Sequence, residues 1–389
     1  MPEQKTYFSS DFKLGILGGG QLGKMLLTTT RQYDIRTKVL DPSESAPGRI
    51  ASNEFHKGDL MDEETVYQFG QDCDVITIEI EGVNIAALKR LEKEGKKVFP
   101  RPAALETIKN KCVQKKFYRS NKIPTAPFKT FTTREELFHL LEYDHIRYPF
   151  VWKAASGGYD GRGVEIVKGP EQLENLPDTE GLSEELISFE KELAVIVARS
   201  ENGETKCFPL VEMDFHPTAN LVEYVFSPST LEKKIQNKAE ALATQIAEKL
   251  DHVGLLAVEM FLLENETILV NEVAPRVHNS GHLTIEGNIT SQFEQHIRAI
   301  LNLPLGDTSV IRPAVMINLT GAEKHEGPVF YEGIETILQM PATYVHLYGK
   351  AQTRPFRKMG HITVTAGTLA EARAQAKDVK DKIKVISKT

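Results

Sequence analysis

Lys13-Leu14-Gly15-Ile16-Leu17-Gly18-Gly19-Gly20-Gln21-Leu22-Gly23 is a short apolar run that passes straight into a glycine-rich turn. The run has the length and composition of a buried strand. A helical pattern follows over 24–33, and 36–41 (Arg-Thr-Lys-Val-Leu-Asp) reads as a second strand that ends in an acid. Residues 75–81 (Val-Ile-Thr-Ile-Glu-Ile-Glu) read as a later strand with acids at its carboxyl end. Strand, helix and strand in alternation predict a doubly wound parallel sheet of the α/β class. Pro100 and Pro102 close this unit near residue 100. Its turn, Gly18-x-Gly20-x-x-Gly23, offers backbone N–H groups to an anion at a helix N-terminus. Three readings fit it equally: a dinucleotide with Asp41 at the ribose, the phosphate of a mononucleotide substrate, or a structural turn.

The chain has 389 residues, too many for one core, so two or three domains are expected. Hydrophobic residues make up 41% and charged residues 26%, proportions ordinary for a soluble globular enzyme. A formal net charge of −7 argues against a nucleic-acid partner. Cys73, Cys112 and Cys207 lie far apart, which gives neither a disulfide framework nor a zinc site and fits a reducing cytoplasm. The first dozen residues lack the apolar core of a secretory signal, and no apolar run has membrane-spanning length. The expectation is a cytoplasmic protein with neither membrane nor nucleic acid as partner.

Beyond the first unit, 103–121 reads as one helix carrying Lys109, Lys111, Lys115 and Lys116. Pro124-Thr125-Ala126-Pro127 is an extended linker. Residues 149–154 read as a strand, and so do 185–189, 193–198, 254–263 and 267–272. Helices are expected over 233–250 and 291–301. From about Gly327 the pattern becomes short strands and turns, ending in a helix over 369–382.

Four constellations carry chemistry. Ser156-Gly157-Gly158-Tyr159-Asp160-Gly161-Arg162-Gly163 follows Lys153, and its glycines permit a hairpin that folds over phosphates while Lys153 supplies a point charge. A plain turn does not need Tyr159, Asp160 and Arg162. Glu259 interrupts an apolar strand, where a lone acid is costly unless paired or metal-bound. Glu272 ends the next strand, and two carboxylates on adjacent antiparallel strands suit Mg²⁺ held against triphosphate oxygens. Glu184-Glu185-Leu186-Ile187, with Glu192, suits an adenine edge and a ribose diol, although acidic solvated faces are common. Asn271 to His282 (Asn-Glu-Val-Ala-Pro-Arg-Val-His-Asn-Ser-Gly-His) places a cation site beside an anion site, as a nucleotide polyphosphate facing a charged substrate requires.

Lys153, 157–163, 184–187, Glu259 and Asn271-Glu272 together resemble the ATP-grasp superfamily. Within it, 18–23, 77–81, 157–163 and 275–282 resemble the N5-carboxyaminoimidazole ribonucleotide synthetase family over nearly the whole chain. The resemblance implies an ATP-grasp fold, α/β and α+β. An N-terminal Rossmann-like substrate domain spans 1–102, an ATP-grasp domain 103–325 with a lid at about 124–190, and a small β-rich C-terminal domain 326–389. It implies a ligase that carboxylates 5-aminoimidazole ribonucleotide through carboxyphosphate, using ATP, Mg²⁺ and bicarbonate. The ATP site would comprise Lys111 (or Lys109), Lys153, 156–163, 184–187, Glu192, His216, Asn271 and Glu272, and Glu259 and Glu272 would hold the metal. Arg276, His278, Tyr159, Asp160 and Arg162 would be catalytic, and Gln21, Leu22, Glu79, Asn279, Ser280, Lys350 and Arg357 would bind substrate. A homodimer and coupling to a mutase are further implications. Many relatives carry Arg at Lys111 and an aromatic residue at Leu283. Rival readings are a formate-dependent glycinamide ribonucleotide transformylase, a NAD-dependent oxidoreductase built on Gly18–Gly23 and Asp41, and a silent nucleotide-binding protein.

Overall fold

The computed structural model describes residues 7–157, 163–215 and 221–388. Its first unit is the expected parallel sheet. In spatial order its strands are Glu54–Lys57, Thr37–Asp41, Leu14–Leu17, Val75–Ile78 and Lys97–Phe99. Both faces are covered, so Leu14, Gly15, Ile16 and Leu17 are all buried and the strand is uniformly apolar. Strand order reverses at Leu14–Leu17, and the crevice at its carboxyl end is where α/β sheets hold ligands. The first helix starts at Gln21, three residues before the apolar periodicity, because no side chain caps its N-terminus and marks it.

The single helix expected over 103–121 is two, Pro102–Lys109 and Lys111–Ser120. Asn110 between them is extended (φ −106°, ψ 112°), and its side chain accepts the Val113 N–H to start the second helix. This is a cap hidden inside a run of helix-forming residues. The break turns Lys109 and Lys111 in different directions.

A small antiparallel sheet follows, in the order Phe128–Phe131, Gly181–Glu185, Phe150–Ala154 and Val164–Val167. The strand expected at 185–189 lies at Gly181–Glu185 instead. Leu186 and Phe189 are each 42% exposed, so their apolar character does not reflect burial. Glu184 is therefore interior to the sheet, opposite Phe128 on one side and Val151 on the other.

The largest sheet is a mostly antiparallel one that begins with Ile268–Ala274, Gly254–Leu262, Lys191–Arg199, Val211–Phe215 and Val222–Ser227. It continues without interruption through Ala314–Thr320, Lys358–Thr365 and Thr343–Leu347. The chain does not end in its last helix, Leu369–Lys382: a strand, Lys384–Ser387, returns to pair with Gly327–Glu332. The helix Gln292–Ile300 lies where the first sheet meets the largest one. Its Phe293, Ile297 and Ile300 share one buried cluster with Leu14 and Ile16 of the first sheet and Leu255 and Ala257 of the other. Among the described residues, no helix is long and apolar enough to cross a membrane.

Candidate active site

The floor of the site is a defect in a β-ladder. Glu259 lies directly opposite Glu272, yet the next paired residues are Met260 and Val270, so Asn271 is an extra residue in its strand. A bulge of this kind re-aims side chains. Here Asn271 and Glu272 both find partners above the sheet: Asn271 Oδ1 accepts from Lys153 Nζ at 2.9 Å, and Glu272 contacts the Lys111 ammonium. Glu192 is on the same face, two residues from Ala194, which opposes Glu259.

The wall is a buried chain of charges. Glu184 takes Lys153 Nζ at 2.7 Å on one oxygen and Lys115 Nζ at 2.6 Å on the other. Lys115 also donates to Thr125 Oγ1, which in turn donates to the Val270 carbonyl at 2.7 Å. The small sheet, the linker and the floor strand are thereby tied together. Lys109 points away, donating to the Val83 carbonyl at 2.8 Å.

The loop after the floor strand forms the opposite side. His278 Nε2 lies 3.3 Å from Glu259 Oε1, while its Nδ1 is 2.9 Å from Ser280 Oγ and accepts the Ser280 N–H at 3.3 Å. An Nδ1 that accepts leaves the proton on Nε2, facing Glu259. Arg276 Nε is 2.9 Å from Glu81 Oε1 at the end of the first sheet. Asn279 and Asn318 exchange amide hydrogen bonds of 2.8 and 2.9 Å, and both side chains are buried.

At the first sheet the glycine turn already holds anions, and they are the chain's own. Glu79 accepts the N–H groups of Gly20 at 2.8 Å and Gly23 at 2.9 Å, and Asp41 accepts that of Gly19 at 2.8 Å. A Cβ on Gly20 would meet Glu79 Oε1 at 2.6 Å, and Gly18, at φ +98°, would meet Glu79 Cγ at 2.5 Å. The N–H groups that would cradle a phosphate thus meet Glu79 and Asp41 in this structure, as the structural-turn reading expects. Gln21 Oε1 accepts from Lys350 Nζ at 2.6 Å, which joins the start of the chain to its last third. Leu22 is buried in the core, and Arg357 donates to the Gln352 carbonyl at 2.7 Å.

Three segments of the chain match known domain families. Residues 12–109 match the ribonucleotide synthetase preATP-grasp domain, 116–293 the ATP-grasp domain, and 314–375 the phosphoribosylaminoimidazole carboxylase C-terminal domain. The N5-carboxyaminoimidazole ribonucleotide synthase of Bacillus subtilis is 39% identical over 356 residues, covering 90% of each chain. The chain belongs to the N5-carboxyaminoimidazole ribonucleotide synthase family of ATP-grasp proteins. The phosphoribosylaminoimidazole carboxylase of Saccharomyces cerevisiae is 38% identical over 92% of this chain, which spans 64% of the yeast protein's length. Among solved structures, the Aspergillus clavatus N5-carboxyaminoimidazole synthase in complex with ADP and 5-aminoimidazole ribonucleotide has a TM-score of 0.86 at 36% identity. That match covers 95% of this chain and 98% of that one.

The synthase-family site is electrostatically polarised. Glu272 lies on the floor of a cleft with 41% of its side chain open. Against the desolvation at the cleft floor, Lys111 and Lys153 hold its carboxyl well below the usual carboxylate range. Across the ladder Glu259 is pushed up by burial, by the charge of Glu272 and by Glu192. Glu192 itself rises to about 7, mainly through burial, against the pull of Lys153. Lys115 falls to about 8 because burial outweighs Glu184, while Glu184 stays low because Lys153 and Lys115 outweigh its own burial. An acidic pair that resists double ionisation, ringed by ammonium groups, is a place for a divalent cation bridging to an anionic ligand.

Lys111, Lys153, Glu184, Glu192, Glu259, Asn271, Glu272 and His278 converge on one cleft. Gly158, Tyr159, Asp160, Gly161, Arg162 and His216 lie outside the described residues. Asn279 and Ser280 are buried, with their polar groups already bonded within the protein. Sequence reasoning missed the roles of Lys115, Glu81 and Asn318. Asn318 left a signal, a lone amide inside the apolar strand Ala314–Thr320. Lys115 left a weaker one, four residues from Lys111 on the same helix face.

Proposed function

We propose that this chain carboxylates 5-aminoimidazole ribonucleotide to N5-carboxyaminoimidazole ribonucleotide, consuming ATP and bicarbonate and releasing ADP and phosphate, with carboxyphosphate as intermediate. The observation that carries the reading is the bulged ladder that sets Glu259 against Glu272 with Asn271, Lys153 and Lys111 beside them. The ligands named for the Aspergillus relative agree with it.

Glu259 and Glu272 fit a Mg²⁺ site: two facing carboxylates, with a lysine ammonium already against one of them. Among the described residues no third His, Cys, Asp or Glu completes a protein cage, so the remaining ligands would be phosphate and water oxygens, as Mg²⁺ commonly takes. When bound, the ion supplies charge neutralisation between the γ-phosphate and the attacking oxygen.

In this reading Lys153, Lys111 and Asn271 orient the polyphosphate, with Ser156, Gly157 and Gly163 at its cover; Gly158, Tyr159, Asp160, Gly161, Arg162 and His216, assigned to the same ATP site by the resemblance, lie outside the described residues. Glu184, Glu185, Leu186, Ile187 and Glu192 meet adenine and ribose. Bicarbonate is a poor electrophile, and phosphorylation gives it a leaving group. Arg276 and His278 then face the charge that builds on it. Gln21, Leu22, Glu79, Asn279, Ser280, Lys350 and Arg357 form the ribotide side. The three-part division at residues 102 and 325, a homodimer, coupling to a mutase and a cytoplasmic setting belong to the same proposal. ATP hydrolysis should rise when aminoimidazole ribotide and bicarbonate are supplied together. Stimulation by glycinamide ribotide and formate instead would assign the chain to the transformylase reaction.

A further inference from the structure

We infer that Gln292, fully buried and ten residues beyond the 271–282 segment, is the positioning residue that sets His278 against Glu259. Its side-chain amide grips the His278 backbone on both sides. Oε1 accepts the His278 N–H at 2.8 Å, and Nε2 donates to the His278 carbonyl at 2.8 Å. The same Nε2 reaches His282 Nδ1 at 3.0 Å. The His278 backbone is extended here (φ −134°, ψ 157°), and its carbonyl also accepts the Gly281 N–H at 3.0 Å. Gly281 is shaped by the same contact, since a Cβ there would lie 2.5 Å from Gln292 Oε1 and 2.3 Å from Ile196 Cδ1. Gln292 is itself fixed, its backbone N–H donating to Thr284 Oγ1 at 2.8 Å.

With its backbone held by Gln292 and its Nδ1 by Ser280, the His278 ring turns Nε2 to Glu259. This rests on the carboxylation reading, in which His278 faces the reacting bicarbonate while the adenine nucleotide lies on the far side of the Glu259–Glu272 pair. Removing the grip should therefore lower the rate of carboxyl transfer and leave ATP binding alone. A displacement of about 1 Å at a reacting group costs on the order of 100-fold in rate.

The same helix supplies a matched control. Gln295 is equally buried, and it grips Gly306 in the same two-sided way, accepting its N–H at 2.8 Å and donating to its carbonyl at 3.1 Å. Gly306 lies outside the site. The experiment compares Gln292→Met with Gln295→Met in thermal stability, in KM for ATP, and in kcat for ribotide carboxylation with ADP counted per carboxylated product. The expected result is a similar loss of melting temperature in both, an unchanged KM for ATP, and a fall in kcat of about 10- to 100-fold in Gln292→Met only. More than one ADP per product should accompany that fall. If Gln292→Met is insoluble, Gln292→Asn, whose amide is one methylene too short to hold both His278 backbone groups, is read in the same way. Equal kcat in the two variants, or a Gln292 defect confined to stability, overturns the inference. Failure of the unaltered protein to carboxylate ribotide overturns the carboxylation reading instead, so the two failures are distinguishable.

Discussion

Replacing Glu272 by glutamine removes one of two facing carboxylates and leaves the Lys111 ammonium without its anion. The side chain is 41% open, so little packing is lost with the charge. Glu272→Gln should cut ATP turnover by about 100-fold or more while the melting temperature moves by only a few degrees. Near-normal ADP release would remove Glu272 from the metal site. Lys115 predicts the opposite pattern. It is 2% exposed, and Lys115→Met leaves Glu184 with half its compensation. Breaking one side of a buried ion network costs about 3–5 kcal/mol, so denaturant unfolding should show a large loss before any kinetics are measured. The residue types at this site were legible from the chain: lysine, then glycines, then an acid in an apolar strand. Which lysine serves was not. Lys109 and Lys111 are two residues apart, and only the helix break at Asn110 sends one to Val83 and the other to Glu272.

At the scale of elements, the helix Gln292–Ile300 does more than its sequence announces. Its apolar positions gave its existence, but its buried polar positions determine what it joins. His296 sits between the two large sheets, with Nδ1 accepting the Leu255 N–H at 3.2 Å and Nε2 against Thr77 Oγ1 at 2.9 Å. Burial pushes its pKa down to about 3, and that of His252 to about 4. Below pH 6.5 the unfolded chain takes up protons that these two rings refuse in the folded state. Stability should therefore fall as pH drops from about 6.5 toward 4, by roughly 1.4 kcal/mol per pH unit for each ring. Urea midpoints measured across that range check this, and His296→Gln should flatten the slope. The bulge at Asn271 was equally invisible in advance. Alternation places Asn271 and Glu272 on opposite faces of a regular strand, and the extra residue alone brings them to one cleft. The glycine turn shows the reverse case, where a phosphate-binding pattern is satisfied by Glu79 and Asp41.

Over the whole molecule, the parallel sheet and the alternation that predicts it agree well, because a strand buried on both faces is uniformly apolar. The largest sheet was harder to foresee, since it joins strands from residue 191 to 365 through pairings that local pattern does not encode. That continuity brings Lys350 to Gln21, and Lys24 Nζ to the Leu347 carbonyl at 2.9 Å. Lys350→Ala should accordingly raise KM for the ribotide about tenfold or more while KM for ATP changes little, as loss of a charge-assisted contact predicts. An equal rise in both would detach Lys350 from the ribotide. The central claim is that one cleft spends ATP to place a carboxyl group on the ribotide amine. Incubation with labelled bicarbonate, ATP and 5-aminoimidazole ribonucleotide tests it directly. Label should appear in an acid-labile carbamate, with one ADP formed for each carboxyl group transferred, whereas ATP consumption without labelled carbamate would contradict the account.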